Sequence, residues 1–452
     1  MAERAHGQRR GCSPPSARMP ASAHVLCGDA LDVLATLPHG FAQTCVTSPP
    51  YWGLRDYGVP PRVWGGDPGC RHRWGAGERG RRSDLLPSEQ SRSVGRLGRD
   101  ERQGAAGLQG GRFCRRCGAW KGCLGLEPDP DLYVSHLVAV MREVRRVLRS
   151  DGTLWLVLGD SFAAGRSYQV RDAKRGEPGG ALPARVPSGL KPKDLIGIPW
   201  RVAFALQADG WWLRSDIVWA KPNVMPESVT DRPTRAHELV FLLAPSRRYF
   251  YDAEAVREGD QGRRSGNGFI RPERLSYGGA EEARGQEFEW VGGAGRNRRS
   301  VWTVPTQCFK GAHFATFPEA LIEPCVLAGS SPAACRVCGA PWRRIVDARR
   351  LLDGRHEIKG SWTESRRRGS SGRAILPTGV GHWRVEVRRQ TVGWEASCEH
   401  DAPGARCTVL DPFAGAATAG IVAQRHGRDF LGVELSGRYA RMARSRLREA
   451  RR

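Results

Sequence analysis

The stretch best suited to chemistry is the hexapeptide Thr47–Trp52, which follows an apolar run predicted to be a buried strand. Its two prolines fix the backbone and remove two N–H donors, so the loop carbonyls can face outward. Ser48 adds a hydroxyl acceptor and Tyr51 adds an aromatic face. At the carboxyl end of a strand, such a loop suits a planar group bearing an NH2, such as the exocyclic amine of a nucleobase. A proline-rich turn with a buried aromatic residue is the alternative.

A second stretch has the features of a cofactor site. An apolar strand at 408–410 leads into the small-residue turn Asp411–Gly420, where a ligand can approach the backbone and a helix N-terminus. A later strand ends in Glu434, whose carboxylate can accept both hydroxyls of a ribose. The small-residue turn and the acidic residue at the strand end together indicate an adenosine-type cofactor. Asp29, which follows the strand 24–27, can also contact a cofactor, although helix capping is the more frequent role there.

Cysteine and histidine pairs recur with metal-type spacing. Two close ligand pairs separated by a loop form a tetrahedral structural zinc site, which would stabilise segments with few apolar residues. Two structural zinc ions are therefore predicted, with Cys407 competing with His400 in the second; unrelated thiols are the alternative. The predicted ligands are Cys70, His72, Cys114 and Cys117 for the first site, and Cys335, Cys338, Cys398 and His400 for the second.

Composition limits the class of protein. The chain has 452 residues, 40% of them hydrophobic, and a formal net charge of +24. The length allows two or three domains, and the charge favours a polyanionic partner over a merely solvated basic surface. No window approaches the roughly 20 apolar residues of a membrane span, and no signal peptide is visible. With the cysteines as metal ligands, we expect a cytoplasmic protein without a membrane span.

Apolar periodicity predicts helices and strands that alternate along most of the chain. Helices are expected at 131–149, 195–206, 319–328 and 438–452, and strands at 24–27, 44–46, 153–158, 211–219, 238–243, 408–410 and 430–433. The strands 211–219 and 238–243 are expected to pair at the sheet edge.

The two motifs together make the chain resemble the DNA amino-methyltransferases, which transfer methyl from S-adenosylmethionine to cytosine N4 or adenine N6. Thr47–Tyr51 resembles the catalytic motif, Asp411–Gly415 the cofactor motif, and Glu434 the ribose-binding acid. Gly28-Asp29 resembles the strand end that reaches the adenine of the cofactor. The catalytic motif precedes the cofactor motif, which is the order of the beta group.

The resemblance implies a fold, partners and site residues. The fold is α/β, a Rossmann-like methyltransferase sheet with helices on both faces, to which this chain adds a target-recognition insert and two zinc-type insertions. The Cys/His clusters are not part of the minimal family pattern and resemble insertions of a subgroup. The partners are double-stranded DNA and, as is common in the beta group, a second copy of the chain, with a role in DNA methylation and restriction–modification. The implied catalytic residues are Ser48, Pro49, Pro50 and Tyr51, and the implied cofactor-binding residues are Asp29, Asp411, Phe413, Gly415, Thr418 and Glu434.

Composition, apolar periodicity and the extent of the resemblance together give the expected domain boundaries. We expect a disordered basic arm at 1–20, core segments at 21–60, 129–253, 301–334 and 408–452, zinc-type insertions at 61–128 and 335–407, and the recognition insert at 254–300. The chain departs from the family pattern at Ala416 and Ala417, where a further glycine and a serine or threonine are usual.

The implied mechanism begins with a flipped-out base. Its amine donates to the Ser48 hydroxyl and the Pro49 carbonyl, and Tyr51 stacks on the ring, with Trp52 and Arg55 in the same pocket. Ser48 favours cytosine N4 over adenine N6, because serine in this motif is typical of N4 enzymes. An RNA or protein amino-methyltransferase, and a non-catalytic zinc-bearing nucleic-acid-binding protein, remain alternatives.

Overall fold

The computed structural model describes residues 21–74, 113–163, 190–259, 286–291, 295–307, 316–352, 356–357 and 381–451. The predicted arm at 1–20 and parts of the three predicted insertions lie outside these ranges. The chain divides into two units. The core unit comprises the described residues within Met19–Phe250, Ser300–Ser330 and Cys407–Arg452, and the insert unit comprises those within Tyr251–Arg299 and Ser331–Arg406.

The described secondary structure alternates strands and helices. In chain order the elements are β1 (Ala23–Cys27), α1 (Ala30–Thr36), β2 (Ala42–Thr47), β3 (Arg62–Trp64), β4 (Trp120–Gly122), α2 (Pro130–Val147), β5 (Leu148–Leu158), α3 (Ile198–Ala208), β6 (Trp212–Ala220), β7 (His237–Ala244), a 3-10 turn (Glu254–Val256), β8 (Gln286–Val291), β9 (Val301–Thr303), α4 (Glu319–Gly329), β10 (Ala334–Cys335), β11 (Arg343–Leu352), β12 (His356–Glu357), β13 (Gly381–Glu395), β14 (Gly404–Ala405), β15 (Thr408–Asp411), α5 (Thr418–Arg425), β16 (Asp429–Glu434) and α6 (Gly437–Glu449). No helix among these described residues is long and apolar enough to cross a membrane.

The core unit contains an eight-stranded sheet in the order β1-β16-β15-β2-β5-β7-β6-β9. The strands β1, β16, β15, β2 and β5 are parallel to one another, whereas β7 is antiparallel to both β5 and β6. The predicted α/β fold is therefore confirmed. Pairing of β6 with β7 is confirmed as well, but the prediction that they form the sheet edge is wrong, because β9 adds in parallel beside β6.

The central strands are apolar because both faces of the sheet are covered. Every residue of β2 is buried, and so are the last seven residues of β5. Continuous burial is expected for parallel strands inside a sheet. The helix α2 presents one apolar stripe, including Leu137, Met141 and Val144, and begins at Pro130 after the Asp129 cap.

The helix α3 begins at Ile198, three residues later than the sequence predicts. Gly197 adopts a left-handed φ of 77°, which ends the preceding extended chain. The Asp160 carboxylate then accepts the first free amides, from Gly197 and Ile198, at 3.0 Å each. A carboxylate more than thirty residues upstream, rather than a local cap, therefore sets where α3 starts.

The insert unit has its own four-stranded sheet, in the order β12-β11-β13-β8. Here β8 pairs in parallel with β13, and β11 pairs antiparallel with β13. The strand β8 belongs to the predicted recognition insert 254–300, and the other three belong to the predicted insertion 335–407. Two segments expected to be separate thus share one sheet.

Candidate active site

The carboxyl ends of the parallel strands bring the two motifs together. Strands β15 and β2 are neighbours, with Val409 opposite Thr44 and Leu410 opposite Cys45. The loop after each strand therefore opens at the same edge of the sheet. Both loops line one cavity of about 840 Å³. A cavity of this size is large enough for a cofactor-sized ligand.

The catalytic loop lies on one wall of this cavity. Ser48, Pro49, Pro50 and Tyr51 all line it, as does Arg55. The Trp52 side chain does not: it is buried and donates through Nε1 to the Glu127 carbonyl at 3.1 Å.

A segment near the start of α2 holds the loop in place. Gly53 N donates to the Gly125 carbonyl at 2.9 Å, and the Tyr133 hydroxyl donates to the Pro50 carbonyl at 2.9 Å. Glu127 is buried and accepts from Gly125 N and from His136, at 2.7 and 3.0 Å. One of the outward carbonyls expected from the sequence, that of Pro50, is therefore already occupied, and the loop conformation is fixed by its neighbours.

Tyr51 occupies a polar niche formed by residues at the ends of β6 and β7. Its hydroxyl donates to Glu238 Oε2 at 2.7 Å, and Lys221 Nζ pairs with Glu238 Oε1. Burial and then the Glu238 charge raise the pKa of Tyr51 well above its usual value, while a side-chain hydrogen bond with Ser48 lowers it. The ring leaves no space at Gly159, where a Cβ would stand 2.5 Å from Tyr51 Cε2. The tyrosine therefore stays a neutral hydrogen-bond donor in one fixed position.

The predicted cofactor residues line the opposite wall. Asp29, Phe413, Gly415, Thr418 and Glu434 all border the cavity. Both Glu434 carboxylate oxygens accept backbone amides, from Gly415 at 2.9 Å and Ser436 at 2.8 Å. Burial raises the pKa of Glu434, and these two amides oppose the rise. Each oxygen keeps a further lone pair, so the carboxylate can still accept a hydroxyl.

Asp29 has two roles in the structure. Its carboxylate caps α1 through the Leu31 amide at 2.9 Å, as the more frequent reading predicts. It also pairs with Arg62 of β3 at 2.7 Å, and Arg62 contacts Asp32 as well. The side chain still borders the cavity. The strand β3 therefore supports the cofactor wall through one arginine.

Asp411 lies behind the cavity rather than on it. It is only 1% exposed, it is absent from the cavity lining, and it accepts from the Thr47 hydroxyl at 2.6 Å and from Phe413 N at 3.1 Å. Burial raises the pKa of Asp411 to about 7. The contacts indicate that Asp411 shapes the turn that carries Phe413 and Gly415.

The cofactor turn has alanines at 416 and 417, where the family pattern has a further glycine and a serine or threonine, and its backbone still adopts left-handed conformations. Gly415 has a φ of 51°, and a Cβ added there would meet no atom closer than 3.9 Å. Ala417 is also left-handed, with φ 55° and ψ 37°, and is fully buried. This is a conformation that favours glycine, so the alanine is held there at some cost by the surrounding packing.

The two Cys/His sets predicted from the sequence each converge. Within each set the four ligand atoms lie within 4.8 Å of one another. In the first set, Cys70 Sγ is 3.9 Å from Cys114 Sγ, and Cys117 Sγ is 3.4 Å from His72 Nδ1. A tetrahedral zinc ion with bonds of about 2.3 Å to sulfur requires ligand separations of roughly 3.5–3.8 Å. The second set gathers Cys335, Cys338, Cys398 and His400, with His400 rather than Cys407 as its fourth member.

Comparison with known proteins identifies the class and then the family. A family model described as DNA methylase (N6_N4_Mtase) matches residues 42–336. The type II methyltransferase M.Cfr9I of Citrobacter freundii is 35% identical over 421 residues, which cover 93% of this chain and 86% of that protein. The type II methyltransferase M.XycI of Xanthomonas campestris pv. cyanopsidis is 34% identical over 423 residues, with the same coverage of both chains.

The fold and the family are thus those of an S-adenosylmethionine-dependent methyltransferase. The chain belongs to the DNA methylase family of amino-methyltransferases, among relatives named as type II enzymes. The structure of PvuII DNA methyltransferase (cytosine-N4-specific) is 12% identical, with 96% of this chain and 94% of that chain covered and a TM-score of 0.41. A similarity that weak has no bearing on the target base.

Sequence reasoning missed the polar residues around Tyr51. Lys221 and Glu238 line the cavity, and Gly159 makes room for the tyrosine ring. A signal was present in the sequence, since Gly159 and Lys221 lie just after predicted strands and Glu238 is the first residue of another. Their contacts with Tyr51 depend on the position of the antiparallel β6–β7 pair beside β5. The local sequence pattern does not predict that position.

Proposed function

We propose that this protein is a DNA methyltransferase that modifies the N4 amine of cytosine. The single observation that supports this best is the position of the Ser48–Tyr51 loop, which shares one cavity with Glu434 and the Gly415 turn. The loop supplies acceptors and an aromatic ring for a planar amine, and the turn supplies an acidic, glycine-containing wall for an adenosine-type cofactor. Serine at the first motif position favours cytosine over adenine.

The residues present fit S-adenosylmethionine. The Glu434 carboxylate is held by two backbone amides and faces the cavity, where it can accept ribose hydroxyls. The open space at Gly415 lets a ligand lie against the backbone, which a side chain there would fill. Phe413, Thr418 and Asp29 complete the wall. When bound, S-adenosylmethionine supplies an activated methyl group on a positively charged sulfur.

The catalytic loop acts by positioning the amine. A base within a duplex cannot reach this cavity, so the target is flipped out. The Ser48 hydroxyl and the Pro49 carbonyl accept the two amine hydrogens, which directs the nitrogen lone pair toward the cofactor wall. Tyr51 packs on the face of the base. Holding the reacting groups in line supplies most of the rate enhancement, and no covalent enzyme intermediate is required.

We further propose one structural zinc ion in each Cys/His set. The first stabilises the segment that carries β3 and β4, and hence Arg62, which pairs with Asp29. The second stabilises the part of the insert unit around β10 and β14, where Cys335 lies. These strands are only two or three residues long and cannot form a core alone.

We assign target recognition to the insert unit, which contains the predicted recognition insert 254–300. Its arginines, and those of the other arginine-rich stretches of the sequence, would contact phosphates and make binding salt-dependent. We expect the enzyme to act on double-stranded DNA in the cytoplasm, and to form a homodimer as beta-group relatives often do.

The product nucleoside tests this proposal. The purified protein is incubated with labelled S-adenosylmethionine and mixed genomic DNA, and the digested nucleosides are separated by mass spectrometry. We expect label in N4-methylcytosine. Label in N6-methyladenine would retain the family activity and overturn the assignment of the base. Label in RNA or protein only would overturn DNA as the acceptor.

A further inference from the structure

The last helix, α6, sends one arginine side chain back to the cofactor turn. Arg446 Nη1 donates to the Ala416 carbonyl at 2.5 Å, and a second, longer contact reaches the Thr418 hydroxyl at 3.4 Å. We propose that Arg446 is a positioning residue for S-adenosylmethionine, because it holds the peptide unit between Ala416 and Ala417 and so keeps Ala417 in its left-handed conformation. The inference rests on the proposed function, in which the turn around Gly415 lies against the cofactor.

The conformation of Ala417 is the strained feature that needs to be held. Ala417 has a φ of 55° and a ψ of 37°, a region in which the Cβ of an L-residue crowds the following carbonyl oxygen. A rotation of the preceding peptide unit changes ψ of Ala416 and φ of Ala417 together, and it is the simplest way to return the alanine to a negative φ. That rotation would carry the Ala416 carbonyl away from Arg446 and change the shape of the turn.

Both polar groups of this peptide unit are occupied. The Ala417 amide donates to the Ala414 carbonyl at 2.7 Å, which is a bond within the turn. The Ala416 carbonyl accepts from Arg446, which is a bond from another helix. A hydrogen bond with a charged donor is roughly twice as strong as a neutral one. The guanidinium therefore opposes rotation of the peptide unit from outside the turn.

The packing of α6 against α5 sets the position of this arginine. Leu447 is buried, and a Cβ added at Gly420 of α5 would stand 2.8 Å from Leu447 Cδ2, so the two helices approach closely beside the turn. Ala417 provides no side-chain cap to α5, and the helix dipole does not favour a cation at a helix N-terminus. Attraction to the helix thus does not explain the position of Arg446, whereas its bond to the Ala416 carbonyl does.

The experiment is a double-mutant cycle between Arg446 and Ala417, with the S-adenosylmethionine Kd from calorimetry as the readout. We expect Arg446→Met to weaken binding about 10-fold, which is the size of the penalty for a left-handed alanine. In the Ala417→Gly background the same change should cost less than about 3-fold, because glycine adopts a positive φ without strain. Arg448→Met is the matched control, since Arg448 is exposed on the same helix, and it should leave the Kd within about 2-fold.

Thermal melting of each variant separates a binding effect from a folding defect, and Arg446→Gln repeats the cycle if Arg446→Met does not fold. An equal or larger loss in the Ala417→Gly background would overturn the proposal, since Arg446 would then act by a route other than the conformation of Ala417. So would an unchanged Kd in Arg446→Met. A wild-type protein that does not bind S-adenosylmethionine would instead overturn the proposed function. A wild type that binds it, with losses that simply add, would overturn only the role of Arg446.

Discussion

The Thr47 hydroxyl donates to the buried Asp411 carboxylate at 2.6 Å. Thr47 is the last residue of β2, directly before the catalytic loop, and Asp411 is the last residue of β15, directly before the cofactor turn. The same Asp411 oxygen accepts the Phe413 amide at 3.1 Å. One carboxylate oxygen thus joins the two loops that, in the proposed mechanism, present the amine and the methyl donor to each other.

Asp411→Asn should remove a pH-dependent cost to stability. Burial raises the pKa of Asp411 from its usual 3.8 to about 7, so folding favours the protonated form. The wild type should lose stability relative to Asp411→Asn as the pH rises from about 4 to about 7, by at most about 4 kcal/mol at 1.36 kcal/mol per pKa unit. Thermal melting without cofactor at pH 5 and pH 8 measures the difference. A gap between the two proteins that does not widen with pH would count against this role.

Gly159→Ala should displace the Tyr51 ring. The new Cβ would stand 2.5 Å from Tyr51 Cε2 and 3.0 Å from Cδ2, which is closer than side chains tolerate. We expect turnover to fall about 10-fold or more while cofactor affinity stays within about 2-fold, because misplacing a substrate-positioning group costs rate. Gly259→Ala is the matched control, since a Cβ there meets nothing within 4 Å. Full activity of Gly159→Ala would show that the ring position is unimportant.

Ala417→Gly should leave cofactor binding nearly unchanged. Glycine relieves the left-handed strain of about 1 kcal/mol, but removing the buried methyl costs about as much. We expect a change in the S-adenosylmethionine Kd of less than about 3-fold. Ala417→Val should weaken binding more than about 10-fold, because a β-branched residue fits this conformation poorly. Calorimetric titration with S-adenosylmethionine gives the Kd of both variants. Wild-type affinity in Ala417→Val would contradict the prediction.

Metal analysis should find about two zinc ions per chain. Cys114→Ser should reduce the count to one and lower activity, since the first site supports the segment bearing Arg62. Cys27→Ser is the control, because Cys27 is exposed and belongs to neither set. Inductively coupled plasma mass spectrometry of the purified proteins gives the number of zinc ions per chain. A metal-free wild type with full activity would exclude the zinc sites.

Local pattern was enough to place the loops but not the contacts between them. The apolar runs that become β2, β15 and β16 are continuous, and turn-forming or acidic residues mark their ends, so the positions of the Ser48–Tyr51 loop, the Gly415 turn and Glu434 at the strand ends could be predicted. The three-residue β9 is too short to show a period, and without it the sheet edge was misplaced. Pairs distant in sequence were out of reach: Tyr51 and Glu238 are 187 positions apart, and Thr47 and Asp411 are 364 apart.

The most direct test of the account is single-turnover methyl transfer by Ser48→Ala with both substrates saturating. If Ser48 holds the target amine, the rate should fall about 100-fold, while the Kd for S-adenosylmethionine stays within about 2-fold because the cofactor wall is untouched. An unchanged rate would remove Ser48 from the mechanism and contradict the central claim.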